Sequence, residues 1–190
     1  MDEKTLVELC KKGDRSAFNE LVLKYQSKVV NIAYGMLSVR EDAEDAAQDV
    51  FIKVYKNIAS FKGDSAFSTW IYRITANTCN DILRKRMNKK TISIHSSDED
   101  GDSSDMIIPD SAPPPEKQAE IKETQREVRA AISALKDEYR TVITLFDLEG
   151  LSYEEIADIS RLPIGTVKSR LNRARAQLRK SLEHLKENTR

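Results

Sequence analysis

Apolar residues recur at intervals of three and four along most of this chain, a pattern typical of amphipathic helices. The longest run, over residues 17–37, predicts one helix that begins after Asp14 or Ser16. A shorter helix precedes it, because Thr5 and Glu8 have the spacing of a capping box. The chain contains only six glycines and few aromatic residues, which argues against a β-rich fold. We therefore predict an all-α protein.

The helix predicted over residues 41–57 has an apolar side and a chemically distinct polar side. Its core side is expected to consist of Ala43, Ala46, Ala47, Val50, Phe51, Val54 and Tyr55. The outer side carries acidic and amide groups, among them Asp45, Gln48 and Asp49. Solvation alone explains such a face, and from composition we prefer this simpler interpretation.

The helix predicted over residues 68–90 carries polar groups that suit contacts with nucleic acid. One row, at steps of three and four, holds an indole, two amides and two guanidinium groups: Trp70, Arg73, Asn77, Asn80 and Arg84. Such groups stack on bases, pair with base edges and hold phosphates. Residues 84–90 add five basic side chains and no acidic one. The pattern leaves nucleic-acid contact and an ordinary polar surface as equal alternatives.

The loop before this helix holds Phe61 and Phe67 on either side of a polar turn. An exposed aromatic ring on a loop can stack on an unpaired base. It can equally fasten the loop to the core, which is the commoner role.

The composition changes over residues 91–118, where acidic residues, serines and three consecutive prolines replace the apolar pattern. Such a segment cannot bury enough apolar surface to offset the entropy of ordering it. We interpret it as a disordered acidic linker between a domain at residues 1–90 and a second domain at residues 119–190. Its acidic run either keeps the protein soluble or competes with nucleic acid for a basic channel.

The second domain contains a sequence typical of a helix-turn-helix. Ser152 and Glu155 form a capping box at the start of one helix. Pro163 suits the first turn of the next helix, whose apolar residues form one stripe. Residues 161–180 include seven basic residues and no acidic one. A helix that is buried on one side and cationic elsewhere suits the DNA major groove, and the alternative is an arginine-rich surface helix.

Charge and motif content narrow the class of protein. The 31 basic and 31 acidic residues cancel, so any affinity for DNA must come from local segregation of charge. Cys10 and Cys79 lie in apolar helical patterns and are expected in the core. No catalytic, metal-binding or cofactor-binding motif is present, so we expect neither enzyme activity nor a cofactor. Without a membrane-spanning apolar run or a signal peptide, the protein is expected to be cytoplasmic.

Several segments, taken together, resemble one known family. They are KGD at 12–14 with AF at 17–18, DAEDAAQDVFIKVY at 42–55, FKGDSAFSTWIYRITAN at 61–77, LSYEEIA at 151–157 and PIGTVKSR at 163–170. These residues resemble the extracytoplasmic-function (ECF, group IV) sigma factors of bacterial RNA polymerase, in particular the sigma-E type. The resemblance covers nearly the whole chain, the linker excepted. It implies a promoter-specificity subunit with two helical domains, sigma region 2 and sigma region 4.

For the first domain, the resemblance implies contacts with core polymerase and with the −10 element. The helix at 41–57 looks like region 2.2, which docks on the β′ clamp helices, with Asp45, Gln48 and Asp49 at its contact positions. The resemblance therefore favours a contact between this polar face and polymerase over a face that is merely solvated. The residues that match −10 DNA contacts are Phe61, Trp70, Arg73, Asn77, Asn80, Arg84, Lys85 and Arg86. Among these, Phe61 and Asn77 match positions around a base flipped from the non-template strand.

For the second domain, the resemblance implies contacts with the β flap of polymerase and with the −35 element. The residues that match −35 contacts are Lys168, Ser169, Arg170, Asn172 and Arg173. Arg173 is expected to contact guanine, whereas Lys168 and Arg170 are expected at phosphates. Asn172 stands where the sigma-E type has an aromatic residue, and Lys168 replaces an arginine. Both changes are expected to alter the −35 sequence that the protein reads. Lysine, for example, cannot make the bidentate fork contact of arginine.

The resemblance also implies an anti-sigma partner and a linker that runs toward the RNA exit path. A different interpretation is a stand-alone helix-turn-helix regulator, which would bind duplex DNA without polymerase. The acidic face at 41–49 together with the basic cluster at 84–90 discriminates between them, because such a regulator needs neither.

Overall fold

A computed structural model of the protein describes residues 1–92 and 115–183, with side chains described outside 88–92 and 115–122. Within these ranges the structure is helical and contains no strand, so the predicted all-α class is confirmed. Most of the predicted linker lies outside the described residues. The helices are α1 (Glu3–Lys11), α2 (Arg15–Leu37), α3 (Arg40–Asn57), α4 (Phe67–Ile92), α5 (Pro115–Ser133), α6 (Asp137–Ile143), α7 (Tyr153–Ser160) and α8 (Ile164–Ser181). A 3₁₀ turn spans Ile58–Ser60, and a π-helical turn spans Thr144–Leu148.

The first two helices begin at aspartate caps. The capping box predicted at Thr5 is wrong, because Asp2 is the N-cap and accepts hydrogen bonds from the Thr5 amide at 2.9 Å and hydroxyl at 2.7 Å. Aspartate serves as well as threonine in this role, and the earlier cap adds most of a turn to the helix. Of the two caps predicted for α2, Asp14 and Ser16, the structure uses Asp14, whose carboxylate accepts hydrogen bonds from the amides of Ser16 and Ala17.

Helix α2 forms the centre of the first domain and packs against α1, α3 and α4. Val29, Ile32, Ala33 and Met36 have no exposed surface. Opposite them, α3 contributes mainly small side chains, which let two helix backbones approach closely. The predicted core side of α3 is confirmed at Ala43, Ala46, Ala47, Val50 and Val54.

The expected burial of Tyr55 on α3 is wrong. Its side chain is 49% exposed, and its ring meets the Phe18 ring edge-on with centroids 5.0 Å apart. Val54 occupies the buried side at this turn, and the next residue on a helix lies about 100° further round.

The second domain is built on α6, α7 and α8, which pack on one another. The capping box predicted at α7 is confirmed: the Ser152 hydroxyl accepts from the Glu155 amide at 3.2 Å, and the Glu155 carboxylate accepts from the Ser152 amide at 2.8 Å. Arg161 then adopts a left-handed conformation (φ 54°), which turns the chain toward α8. The apolar stripe of α8 is buried, with exposed fractions of 2% or less at Val167, Leu171 and Ala174.

The two domains also contact each other. Helix α4 packs against α7, and α2 packs against α6 and the π-helical turn. In the described part of the chain, none of the helices is long and apolar enough to cross a membrane.

Burial raises the pKa of several acidic groups in the first domain. The pKa of the Cys79 thiol rises to about 12, and so does that of Tyr72, in both cases mainly through burial. Burial also raises the pKa of Tyr25, whose hydroxyl donates to the Glu3 carboxylate. These groups stay protonated in the folded protein at pH values where an unfolded chain loses their protons.

We therefore expect the free energy of unfolding to fall as the pH rises above about 9. The unfolded chain then binds fewer protons than the folded one, so the slope of stability against pH is negative. Urea denaturation from about pH 8 to about pH 11 measures this slope. Tyr25→Phe should make it shallower, whereas Tyr55→Phe, a change at an exposed tyrosine, should leave it unaltered. Equal slopes for Tyr25→Phe and the unmodified protein would contradict the assignment.

Candidate nucleic-acid interface

The polar face predicted on α3 is exposed and continuous. Asp45, Gln48 and Asp49 are all exposed, and none forms an ion pair or side-chain hydrogen bond with the part of the chain that the structure describes. Ala46 and Val50 are buried on the opposite side of the helix and hold this face outward. The three side chains are therefore free to bind another molecule.

The same face continues into apolar surface that sequence reasoning missed. Ile52 is 51% exposed and lies four residues beyond Gln48, one turn along the same side of α3. Next to Gln48, a groove of about 780 Å³ separates α2 from α3 and includes Val22, Gln26 and Phe51 in its walls. The interval of four residues between Gln48 and Ile52 is the sequence signal that places both side chains on one side of α3.

The two loop phenylalanines take different roles. Phe67 is 3% exposed and fastens the loop to the core, as one of the two alternatives predicted. Phe61 is half-buried, with its ring 5.3 Å from Trp70 and 5.5 Å from Phe67 between centroids. The Lys11 amine lies 5.6 Å from the centre of the Phe61 ring. Phe61 and Trp70 thus form one aromatic cluster that is still partly accessible.

The polar row of α4 is divided by the structure. Asn77 and Arg84 are exposed and Asn80 is half-buried, and all three line a cavity of about 320 Å³. Arg73 is held apart from them, because its guanidinium donates two hydrogen bonds, at 3.1 and 2.7 Å, to the backbone carbonyl of Asp158 in α7. The structure therefore brings three of the predicted −10 residues together and gives Arg73 a partner in the second domain.

The basic end of α4 is partly neutralised within the chain. Arg86 forms an ion pair with Asp42 of α3, and Arg84 lies 3.4 Å from Asp81 one turn earlier. Lys85 is exposed. Exposed pairs of this kind contribute little stability and exchange readily for other anions, so phosphate groups can compete for these side chains.

On α8, three of the predicted −35 residues already have neighbours. The Arg170 guanidinium lies 2.8 Å from the Glu138 carboxylate of α6. The Lys168 amine lies 5.2 Å from the centre of the Tyr153 ring, a cation–π distance. The Ser169 hydroxyl donates to a carbonyl one turn earlier in the same helix at 2.9 Å.

The other two predicted −35 residues, Asn172 and Arg173, are exposed and have no ion pair or side-chain hydrogen bond with any residue that the structure describes. Arg175, only two positions later, differs from Arg173. Its Nε donates to the Asp147 carboxylate at 3.1 Å, and its guanidinium lies 5.1 Å from the Phe146 ring centre. Arg173 is thus the arginine of this pair that remains available to a ligand.

No group of histidine, cysteine or carboxylate side chains that could hold a metal ion occurs among the described residues. The surfaces above combine amides, guanidinium groups and aromatic rings, which suit nucleic acid, with an acidic face, which suits a basic protein surface.

Two family models match this chain, one after the other. Residues 21–89 match the family model of sigma-70 region 2, and residues 125–178 match that of sigma-70 region 4. The chain is 39% identical to the RNA polymerase sigma-H factor of Pseudomonas aeruginosa over 184 residues, which cover 96% of this chain and 95% of that protein. It is 38% identical to the ECF RNA polymerase sigma-E factor of Escherichia coli K12 over 189 residues, which cover 97% and 96%.

Solved structures show the same architecture. The sigma factor RpoE of Bartonella quintana, in complex with the anti-sigma factor NepR, aligns with a TM-score of 0.67 and 28% identity over 87% of this chain and 96% of that one. CnrH, in complex with the cytosolic domain of CnrY, aligns with a TM-score of 0.69 over 96% of this chain and 97% of that one, and at 22% identity it supports the fold alone. With both family models matched in order and relatives aligned over nearly its full length, the chain belongs to the extracytoplasmic-function sigma factors of RNA polymerase.

Proposed function

We propose that this protein binds core RNA polymerase through α3 and directs it to promoters that it reads with α4 and α8. The observation that carries this proposal is the presence of two unlike surfaces on one chain: an exposed acidic and amide face on α3 and a cationic recognition helix, α8. A stand-alone regulator needs only the second surface. Members of the family are transcription initiation factors and not enzymes. Accordingly, no catalytic residue is assigned.

The polymerase-binding residues are assigned to Asp45, Gln48 and Asp49, with the β′ clamp helices as their partner. Protein interfaces combine an apolar centre with a polar rim. Ile52 and the neighbouring groove supply apolar surface beside the three polar side chains. The face therefore has both the apolar and the polar groups of a protein interface, which suits a protein partner rather than solvent alone.

The −10 surface is assigned to α4 and the loop that precedes it. Strand opening requires groups that hold an extruded base and groups that hold the backbone. Holding the extruded base and stacking on it are assigned to Phe61, Trp70 and Asn77. Contacts with the DNA backbone and with the nucleotides next to the extruded base are assigned to Arg73, Asn80, Arg84, Lys85 and Arg86.

The −35 surface is assigned to the exposed side of α8. Arg173 is the base-reading residue, because a free guanidinium matches the two acceptors of guanine in the major groove. Lys168, Ser169 and Arg170 position the helix on the phosphates, and Asn172 lies beside Arg173 at the point where this chain departs from the sigma-E type.

The domain arrangement follows from the need to span two promoter elements. We assign residues 1–90 to region 2, 119–190 to region 4, with the β flap as an additional partner of region 4, and 91–118 to a linker. The Bartonella quintana relative was solved with an anti-sigma factor. We extend such a partner to this chain, and we place the protein in the cytoplasm, where polymerase and promoter DNA are found.

Run-off transcription with core polymerase tests the function directly. The protein should yield promoter-dependent transcripts from a template library, and their absence would contradict the proposal.

Gln48→Ala combined with Asp49→Ala should weaken binding to core polymerase about tenfold, because truncating central interface residues costs about 1–2 kcal/mol.

A matched control removes one amide and one carboxylate from an exposed part of α2 instead. Asn19→Ala combined with Glu20→Ala should leave the affinity for core polymerase unchanged. Both double variants should keep the melting temperature of the unmodified protein, since all four side chains are exposed. If the two double variants bind core polymerase equally well, the α3 face is only solvated surface.

The assignment of Arg173 has its own test in binding to −35 duplexes. Arg173→Ala should weaken binding by about 1–3 kcal/mol and relax specificity at a single base pair. Arg175→Ala, the matched control, removes a guanidinium that is already bound to Asp147, so it should lower stability slightly and leave specificity unaltered. If Arg173→Ala instead weakens binding to all −35 sequences equally, Arg173 contacts a phosphate and not a base.

A further inference from the structure

Two aromatic rings form a stack beside the recognition helix α8. Phe146 lies in the π-helical turn, and Tyr153 is the first residue of α7. Their ring centroids are 4.7 Å apart, and the ring planes are inclined by only 16°. Gly150 turns the chain between them in a left-handed conformation (φ 70°), which residues with a side chain rarely adopt. The short connection therefore brings one ring onto the other.

A cation from α8 lies over each of the two rings. The Lys168 amine lies over the Tyr153 ring, 5.2 Å from its centre, and the Arg175 guanidinium lies over the Phe146 ring, 5.1 Å from its centre. Lys168 and Arg175 lie on the same side of α8 and about 10 Å apart along its axis, because seven residues make almost two turns. The contacts therefore run in the order Arg175, Phe146, Tyr153, Lys168.

The two ends of this row differ in their balance of charge. The Arg175 guanidinium is bound to the carboxylate of Asp147, in the same π-helical turn as Phe146. Lys168 is exposed and forms no ion pair or side-chain hydrogen bond with any residue in the described part of the chain. The Arg175 end thus fastens the stack to α8, whereas the Lys168 end carries a positive charge that nothing compensates among those residues.

Contact with an aromatic ring leaves the Lys168 amine able to bind an anion. The ring attracts the cation through its quadrupole and does not cancel its charge. An ammonium group has three N–H donors, and the ring occupies only one side of it. Arg170, on the same helix, differs, because its guanidinium lies 2.8 Å from the Glu138 carboxylate. A phosphate must displace this carboxylate to bind Arg170, whereas it can bind Lys168 while the Tyr153 ring stays in place.

The ring also restricts a side chain that is otherwise highly flexible. Fixing a lysine side chain when a ligand binds costs conformational entropy. Contact with Tyr153 confines the Lys168 amine before DNA arrives. Tyr153 is itself fixed, because it stacks on Phe146 and begins the helix whose capping box is formed. Part of the loss of entropy has therefore occurred before binding.

We propose that Tyr153 is a positioning residue for −35 binding: its ring, stacked on Phe146, holds the Lys168 amine where it contacts a backbone phosphate of the duplex. This rests on the proposed function, because it takes α8 as the helix that enters the major groove. Tyr153 acts through Lys168 and raises the affinity for every sequence, since phosphate contacts carry no sequence information. Its role thus differs from that of Arg173, which is assigned to a base.

NMR spectroscopy of the full-length protein measures the contact between ring and amine without DNA. With isotopically labelled lysine, the ε-methylene signal of Lys168, identified by its absence in Lys168→Arg, should be shifted upfield by the ring current of Tyr153. Tyr153→Phe keeps the ring and should keep this shift. Tyr153→Leu should return the signal to the position of an ordinary exposed lysine. An unshifted signal in the unmodified protein would overturn the proposal.

A double-mutant cycle shows whether Tyr153 acts through Lys168. The probe is the −35 duplex that the unmodified protein binds most tightly. Tyr153→Leu should weaken binding about threefold, the size expected for an exposed cation–π contact, and Tyr153→Phe should restore it. Lys168→Ala should weaken binding to all sequences and lower the salt dependence by about one phosphate contact. In the Lys168→Ala background, Tyr153→Leu should cause no further loss, because residues that act together are not additive.

A matched control removes the ring of another aromatic–cation pair. The Arg129 guanidinium of α5 lies 5.6 Å from the centre of the Tyr34 ring of α2, away from the recognition helix. Tyr34→Leu is the same substitution and should leave the affinity for the −35 duplex unchanged. If Tyr153→Leu weakens binding equally with and without Lys168→Ala, its role is merely structural and the proposal is overturned. A loss in Tyr153→Phe as large as in Tyr153→Leu also overturns it, since the hydroxyl and not the ring would then act.

These outcomes are separable from failure of the proposed function, because neither measurement contains polymerase. If the ring shift and the coupling are found but no promoter-dependent transcript forms with core polymerase, the proposed function fails and the positioning of Lys168 on DNA stands. If transcripts form but Tyr153→Leu and Lys168→Ala weaken DNA binding independently, only the positioning role is overturned.

Discussion

The burial of one side of α2 is the interaction on which the rest of the structure depends. Val29, Ile32, Ala33 and Met36 have no exposed surface, and complete burial of the larger of these side chains stabilises the fold by about 1.5–3 kcal/mol each. Because α1, α3 and α4 all pack on this helix, their opposite sides face outward. The last turns of α2 then reach the second domain through Gly35. One helix thus organises the first domain and sets the position of the second.

This packing explains how a chain with no net charge presents strongly charged surfaces. Small residues such as Ala46 and Ala47 hold α3 close to α2, so its acidic and amide side chains remain outside. Likewise, the buried stripe of α8 leaves its cationic residues on the opposite side. Each helix buries only one stripe, and segregation of charge follows because charged groups are costly to bury without a partner. The two surfaces have unlike chemistry, which suits two unlike partners.

The sequence predicted those features that depend on neighbours within one turn of a helix. The capping box at Ser152 and the stripe of α8 follow from spacings of three and four, and both are present. Errors arose where two local interpretations competed. Asp2 and Thr5 are both good caps, and the one further upstream was used. Tyr55 is apolar enough for the core, but the turn of α3 on which it lies has Val54 on its buried side.

By itself, therefore, the sequence determined the helices, their buried stripes and the family resemblance, and it indicated which residues to propose for contacts with nucleic acid. Only the tertiary structure decided which of those residues are engaged. Arg73 binds the carbonyl of Asp158, 85 positions away, whereas Arg173 has no partner among the described residues. Arg140 likewise binds the carbonyl of Met36, 104 positions away. Backbone carbonyls occur at every residue, so such contacts leave no pattern of residue types, and they become visible only when the helices that bring them together are in place.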